Sequence, residues 1–138
     1  MGYTLQAIVG DSANLRSGLP GLRVVDLAKG KGLIPISEAL RERFEIPFLE
    51  FGGGAIPEGL ISLMKPLKKA AYLEAEFFGG DGGQSSAAWE EGRLVFGPVS
   101  AEDAINQALR FLGVDKKECH DEFDAIGLGR HRDTEEWA

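Results

Sequence analysis

The clearest pattern in the chain is an alternation of apolar and polar side chains over residues 71–78, which is typical of a half-buried strand. One face of that strand carries Leu73, Ala75 and Phe77, and the other carries Tyr72, Glu74, Glu76 and Phe78. Further runs of β-forming residues at 84–90 and 93–96 follow glycine-containing turns. The pattern therefore predicts a three-stranded antiparallel meander over residues 71–96.

The remaining periodicity predicts strands near the N-terminus and helices on either side of the meander. Runs of β-forming residues lie at 3–9, 22–27 and 33–36. Apolar residues at helical spacing lie at 37–44, 57–65 and 100–112. Because these elements do not alternate as β–α–β units, we expect an α+β fold in which about three helices pack on an antiparallel sheet.

Length and composition limit the chain to one domain. Of its 138 residues, 43% are hydrophobic and 27% charged, which is close to the averages of globular domains. A chain of this size buries roughly 65–70% of the surface that its unfolded form exposes, which is enough for one hydrophobic core and too little for two ordinary domains. We therefore expect a single α+β domain over residues 1–138.

The last part of the chain, residues 115–138, is a distinct polar segment. It carries eight acidic and four basic side chains, so it holds more than half of the net charge of -7. A few apolar side chains interrupt it, namely Phe123, Ile126, Leu128 and Trp137. We expect a C-terminal tail wrapped on the domain, with one short helix near residues 121–126.

Charge and cysteine content exclude several classes of protein. The single cysteine, Cys119, rules out a disulfide framework and a cysteine-built zinc site, and it fits a reducing cytoplasm. The acidic balance argues against nucleic-acid binding, which needs clustered Lys and Arg. No apolar run approaches the roughly 20 residues of a membrane helix, and no signal peptide is visible. We expect a cytoplasmic protein that binds neither nucleic acid nor membrane.

Signature motifs for catalysis and cofactor binding are missing from the sequence. It has no phosphate-binding loop, no nucleophile elbow and no His-Glu-x-x-His pair, and its glycine clusters do not fit the dinucleotide pattern. The sequence therefore favours a binding protein over an enzyme, and we expect no cofactor and no metal.

The predicted meander contains the most suggestive surface. Between Lys69 and Arg93 the chain carries five acidic side chains and no basic one. Charges of one sign attract and steer a basic partner, and aromatic side chains on the same face act as anchors. The predicted partner-binding residues are Tyr72, Glu74, Glu76, Phe78 and Asp81. The leading interpretation is a non-enzymatic protein-binding module for a basic partner, of which an immunity or antitoxin-type protein is one concrete form.

Two alternatives come from other classes. The tail contains groups that bind metals or anions, so the chain is alternatively a small ligand-binding domain or enzyme that uses this segment. The residues of that alternative site are His120, Asp124, Arg130, His131 and Arg132. The third possibility is a structural homo-oligomer.

The C-terminal quarter also carries a resemblance. Its two stretches, INQALRFLGV at 105–114 and DEFDAIGLGRHR at 121–132, resemble a pattern in a family of small, uncharacterised acidic bacterial proteins. The resemblance implies a bacterial cytosolic protein. It implies no catalytic residue, since no activity is established for that family.

Overall fold

The structure, a computed structural model, describes residues 2–47, 56–78 and 81–138, and of Phe78 and Asp81 it describes the backbone only. Its strands are β1 Tyr3–Asp11, β2 Val25–Asp26, β3 Lys31–Pro35, β4 Lys69–Phe78, β5 Asp81–Glu90 and β6 Arg93–Ser100. The helices in these ranges are α1 Ser12–Gly18, α2 Glu38–Phe44, α3 Glu58–Met64, α4 Ala104–Phe111, α5 Glu122–Ile126 and α6 Thr134–Trp137. No helix in the described ranges is both long and apolar enough to cross a membrane.

All six strands form one antiparallel sheet in the order β2-β3-β1-β4-β5-β6. One buried cluster joins this sheet to α4, α5 and α6, and a second joins its opposite face to α1, α2 and α3. The expected α+β fold with an antiparallel sheet is confirmed, and the sheet lies between two helical layers. The expected number of about three helices is too low, because the described ranges contain six. The sequence pattern accounts for four of the six, which are α2, α3, α4 and α5.

The central strand explains why the molecule has a core on each side of the sheet. In β1, Leu5, Ala7 and Val9 belong to one buried cluster, while Ile8 between them belongs to the other. Successive side chains of a strand point to opposite faces, so an apolar run at this position is buried from both sides. Ala7 lies opposite Leu73 of β4, which places the predicted meander directly beside β1.

The last strand of the meander runs further than the sequence predicts. The sequence predicts a strand over residues 93–96 and helical spacing from residue 100, but β6 continues through Pro98 to Ser100 and α4 starts only at Ala104. Proline is tolerated in an edge strand, because the side without a neighbouring strand needs no backbone N–H. The pairing with β5 also shifts register twice, between Ser86 and Trp89. Proline and such irregularities discourage pairing with another copy of the chain at this edge.

The C-terminal residues lie against the start of β1. The Thr4 amide donates to the Arg132 carbonyl at 2.8 Å, and the Tyr3 hydroxyl donates to the Leu128 carbonyl at 2.9 Å. Trp137 is 2% exposed in the same cluster as Leu5. The short helix expected near residues 121–126 is α5. This segment therefore contributes to the core.

Candidate functional site

The face of β4 that the sequence offers as a docking surface is largely buried. Tyr72 is 1% exposed and Glu74 is 5% exposed, so the expectation that both face solvent is wrong. Alternation assigns side chains to two faces of a strand but does not say what covers each face. Here the layer of α1, α2 and α3 covers that face, and Tyr72 belongs to its buried cluster. Glu76, two residues further on, is only half-buried.

Tyr72 and Glu74 form a hydrogen-bonded chain with Gln6 of β1, here called the buried network. The Gln6 Nε2 donates to the Tyr72 hydroxyl at 2.8 Å, and that hydroxyl donates to the Glu74 Oε2 at 2.7 Å. The same Nε2 donates to the Pro47 carbonyl at 2.9 Å. These contacts compensate the burial of three polar groups, which would otherwise be costly.

The buried network fixes the orientation of the Gln6 amide. Tyr72 has one hydroxyl proton and gives it to Glu74, so its oxygen must accept from Gln6; the Pro47 carbonyl can only accept. The Tyr72 oxygen and the Pro47 carbonyl oxygen both need a donor, so the NH₂ group of Gln6 must point towards them. Its Oε1 is left as a buried acceptor with no hydrogen-bond partner among the residues that the structure describes.

Both tyrosines of the chain are held in their neutral form. Burial raises the pKa of Tyr72 well above its ordinary value, the charge of Glu74 and the hydrogen bond to it raise the pKa further, and Gln6 and Arg41 act weakly in the opposite direction. Burial also raises the pKa of Tyr3. The folded state therefore keeps two phenols protonated at a pH that ionises them in the unfolded chain.

We expect stability to fall above about pH 10, where tyrosine ionises in the unfolded chain. Each phenol whose folded pKa is raised contributes stability that is complete below that pH and is then lost at about 1.4 kcal/mol per pH unit. Urea unfolding on both sides of this pH measures the loss, and tyrosinate absorbance should appear only as the protein unfolds. In Tyr3→Phe, the free energy of unfolding should fall less steeply with pH than in the unchanged protein. A free energy of unfolding that does not depend on pH in this range would contradict the raised pKa of the two tyrosines.

A cleft of about 430 Å³ lies beside Gln6 and is bordered by β1, β4, α2 and the start of α6. We call it the acid-lined cleft. Its lining residues are Thr4, Gln6, Ile36, Glu38, Arg41, Glu76, Asp133, Thr134 and Glu135. The lining carries four carboxylates and one guanidinium, so it is strongly negative.

Two of the four carboxylates are held by helix starts. The Glu135 Oε2 accepts from the Glu38 amide at 2.8 Å, where α2 begins. The Asp133 Oδ1 accepts from the Glu135 amide at 2.9 Å and caps α6. Helix N-termini favour such negative groups. The Glu38 and Glu76 side chains make no hydrogen bond or ion pair that the structure describes, so they are available to a ligand.

Within the described ranges, the acid-lined cleft included, no three His, Cys, Asp or Glu side chains form a group that could hold a metal ion.

The predicted partner-binding residues lie in different places, one in the cleft and two in the buried network. Glu76 lines the cleft, whereas Tyr72 and Glu74 lie in the buried network. The side chains of Phe78 and Asp81 lie outside the described part of the structure. The other charged residues of the cleft come from α2 and the start of α6, and the sequence analysis did not identify them because no local motif contains them. They are Glu38, Arg41, Asp133 and Glu135.

The alternative site in the tail is not assembled as a cluster. Arg130 lies over the Trp137 ring at 5.5 Å, and the His131 ring meets the same ring edge-on at 4.7 Å. The Arg132 amide donates to the Glu136 Oε1, and both His120 and Asp124 are exposed. The structure describes no hydrogen bond or ion pair from His120 or Asp124 to the other three residues. A ligand site in the tail stays a prediction.

Comparison of the chain with protein-family models, curated proteins and solved structures gave no match. The likeness of its C-terminal quarter to a bacterial family therefore stays a prediction. The geometry itself defines an α+β protein whose antiparallel sheet lies between two helical layers, with an acid-lined cleft at the junction of β1, β4 and α6.

Proposed function

We propose that the protein is a non-enzymatic binding module that receives a positively charged side chain of a partner protein in the acid-lined cleft. The observation that carries the proposal is the composition of the cleft, in which four carboxylates face one guanidinium. A net charge of -7 on the chain supports it further, because such a field steers a basic partner towards the protein.

The cleft is a better place for this interaction than a flat acidic face. Ion pairs on open surfaces are worth little, because water and salt screen them. Glu76 is half-buried in the cleft, which reduces the screening of its charge, whereas the other three carboxylate residues of the lining are exposed. The volume of about 430 Å³ lies in the range of ordinary ligand pockets. The hydrogen bonds at the two helix starts hold Asp133 and Glu135 in place before a partner arrives, which lowers the entropy cost of binding.

An immunity or antitoxin-type protein that neutralises a basic toxin in the cytoplasm is the concrete form of this proposal. The small size of the chain and its acidic balance support that form. The resemblance of the C-terminal quarter to small acidic bacterial proteins implies a bacterial cytosolic protein and no particular activity. In this form, the side chains that contact the toxin belong to α2, β4 and the start of α6.

Neutralising two carboxylates of the cleft tests the proposal. In a titration with a fluorescent peptide of alternating Lys and Arg, the double variant Glu38→Gln with Glu76→Gln should bind about tenfold more weakly, which corresponds to about 1.4 kcal/mol. These two side chains support neither the buried network nor a helix cap through their carboxylates, so the fold should be retained.

The matched control is Glu42→Gln with Glu118→Gln, which removes the same charge from exposed positions outside the cleft lining. It should change the dissociation constant by less than about threefold. Equal weakening in both double variants would show that only overall charge matters, and the absence of peptide binding to the unchanged protein at low salt would reject the proposal outright.

A further inference from the structure

We infer that a second pocket of the protein binds a small organic anion with an apolar body. The pocket has a volume of about 190 Å³ and is bordered by α2, the end of β3 and the chain just before β2. We call it the arginine pocket, because Arg23 and Arg43 belong to its lining. It shares no described lining residue with the acid-lined cleft, so the inference does not depend on the proposed function.

The side-chain charge of the arginine pocket is opposite to that of the whole chain. Its described lining contains Arg23 and Arg43 but no Asp or Glu, although the chain has 22 acidic and 15 basic side chains. Neither guanidinium forms an ion pair with any residue that the structure describes. A pocket with this lining favours an anion over a cation.

Both guanidinium groups are held by one contact and keep their other N–H groups free of described partners. The Arg23 Nε donates to the Trp137 carbonyl at 3.0 Å, and no described residue accepts from its two Nη atoms. The Arg43 guanidinium lies 5.0 Å from the centroid of the Phe44 ring and makes no described hydrogen bond. Guanidinium N–H groups form charge-assisted hydrogen bonds with carboxylates and phosphates. These donors are therefore available to an anion.

The rest of the lining favours an anion that carries an apolar body. Ile34 is 1% exposed, Leu22 and Leu40 are half-buried, and all three border the pocket. A bare inorganic anion leaves this apolar surface in water, whereas an apolar body covers it. An apolar cavity of roughly 150 Å³ holds benzene, so about 190 Å³ suits a body the size of one ring. An aromatic carboxylate combines both features.

NMR titrations of the isotopically labelled protein with benzoate and four comparison compounds test the inference. Benzyl alcohol has the ring without the charge, and benzylammonium has the ring with the opposite charge. Acetate and inorganic phosphate have negative charge without the ring. At fixed ionic strength, benzoate should bind about tenfold more tightly than each of the four, with saturable amide shifts at Leu22, Ala39 and Leu40. Because the net charge of -7 favours cations, overall charge does not produce a preference for benzoate over benzylammonium.

Removing one guanidinium should weaken the binding of benzoate. Arg43→Gln is expected to raise the dissociation constant about fivefold, and it breaks no described hydrogen bond or ion pair. The matched control is Arg93→Gln, which removes the same charge from an exposed position of β6 outside the described lining. It should change the dissociation constant by less than about twofold.

Every other result overturns the inference. Equal binding of benzoate and benzyl alcohol, or tighter binding of benzylammonium, would show that the arginines do not select an anion. Acetate or phosphate that binds as tightly as benzoate would show that the apolar lining contributes nothing. Shifts outside the arginine pocket, or equal weakening by the two variants, would place the site elsewhere. Should Arg43→Gln fail to fold, as judged by circular dichroism, the five compounds and the unchanged protein decide the matter.

Discussion

Replacing Gly59 with alanine is expected to destabilise the protein by about 3 kcal/mol, even though Gly59 lies in a helix. A Cβ at this position would lie 1.7 Å from the carbonyl oxygen of Phe44 and 2.8 Å from its carbon. These are backbone atoms at the end of α2, so no side-chain rotation relieves the clash. The substitution must instead push α3 away from α2 and disturb the core beneath them.

The sign of this effect separates tertiary packing from helix propensity. Propensity alone predicts that alanine stabilises a helix relative to glycine by about 1 kcal/mol. Gly21→Ala is a control for the added methyl group without a clash, because Gly21 lies in an exposed turn and a Cβ there meets no atom within 4 Å. Urea unfolding should show a large loss for Gly59→Ala and little change for Gly21→Ala. A Gly59→Ala protein as stable as the unchanged protein would contradict the close approach of α2 and α3.

Trp137→Ala is expected to cost about 3–5 kcal/mol, the range for deleting a large aromatic side chain from a core. Trp137 is 2% exposed and belongs to the cluster that contains Leu5 and Ile126. Its carbonyl also accepts from the Arg23 Nε at 3.0 Å, which ties α6 to the chain before β2. Loss of the ring should loosen α6 and, with it, the cleft residues Asp133 and Glu135.

Two comparisons make the Trp137 prediction specific. Trp137→Phe keeps most of the apolar volume and should lose less stability than Trp137→Ala in the same urea titration. Binding of the basic peptide should weaken in Trp137→Ala under conditions in which the protein is still folded. A cost below about 1 kcal/mol for Trp137→Ala would mean that the C-terminal segment is not part of the core.

The elements with a strong local period were predictable from the sequence, and the reason is geometric. The period of two in residues 71–78 and the cap at Ser37 depend on neighbours in the chain, so β4 and α2 appear where the pattern places them. By contrast, α1 buries one residue, Leu15, and α6 has four residues. Unlike α2, which has the same length, α1 has no side-chain cap to mark its start, and the four residues of α6 are too few for a helical period.

The candidate site was only partly predictable, because tertiary contacts assemble it. The Glu135 carboxylate reaches the start of α2 across 97 positions of the chain, a pairing that no local pattern encodes. The acidic character of β4 did indicate Glu76, which lines the cleft. Burial of Tyr72 and Glu74 was not foreseen, because alternation is the same whether the second face meets water or a helical layer.

An NMR titration of the isotopically labelled protein with an amidated N-acetyl-arginine residue tests the central claim most directly, because it reports where a basic side chain settles. We expect saturable amide shifts that concentrate at four residues around the opening between β1, β4 and α6, namely Thr4, Gln6, Glu76 and Thr134. Shifts scattered over the exposed acidic residues, or confined to the loop at 115–120, would contradict it.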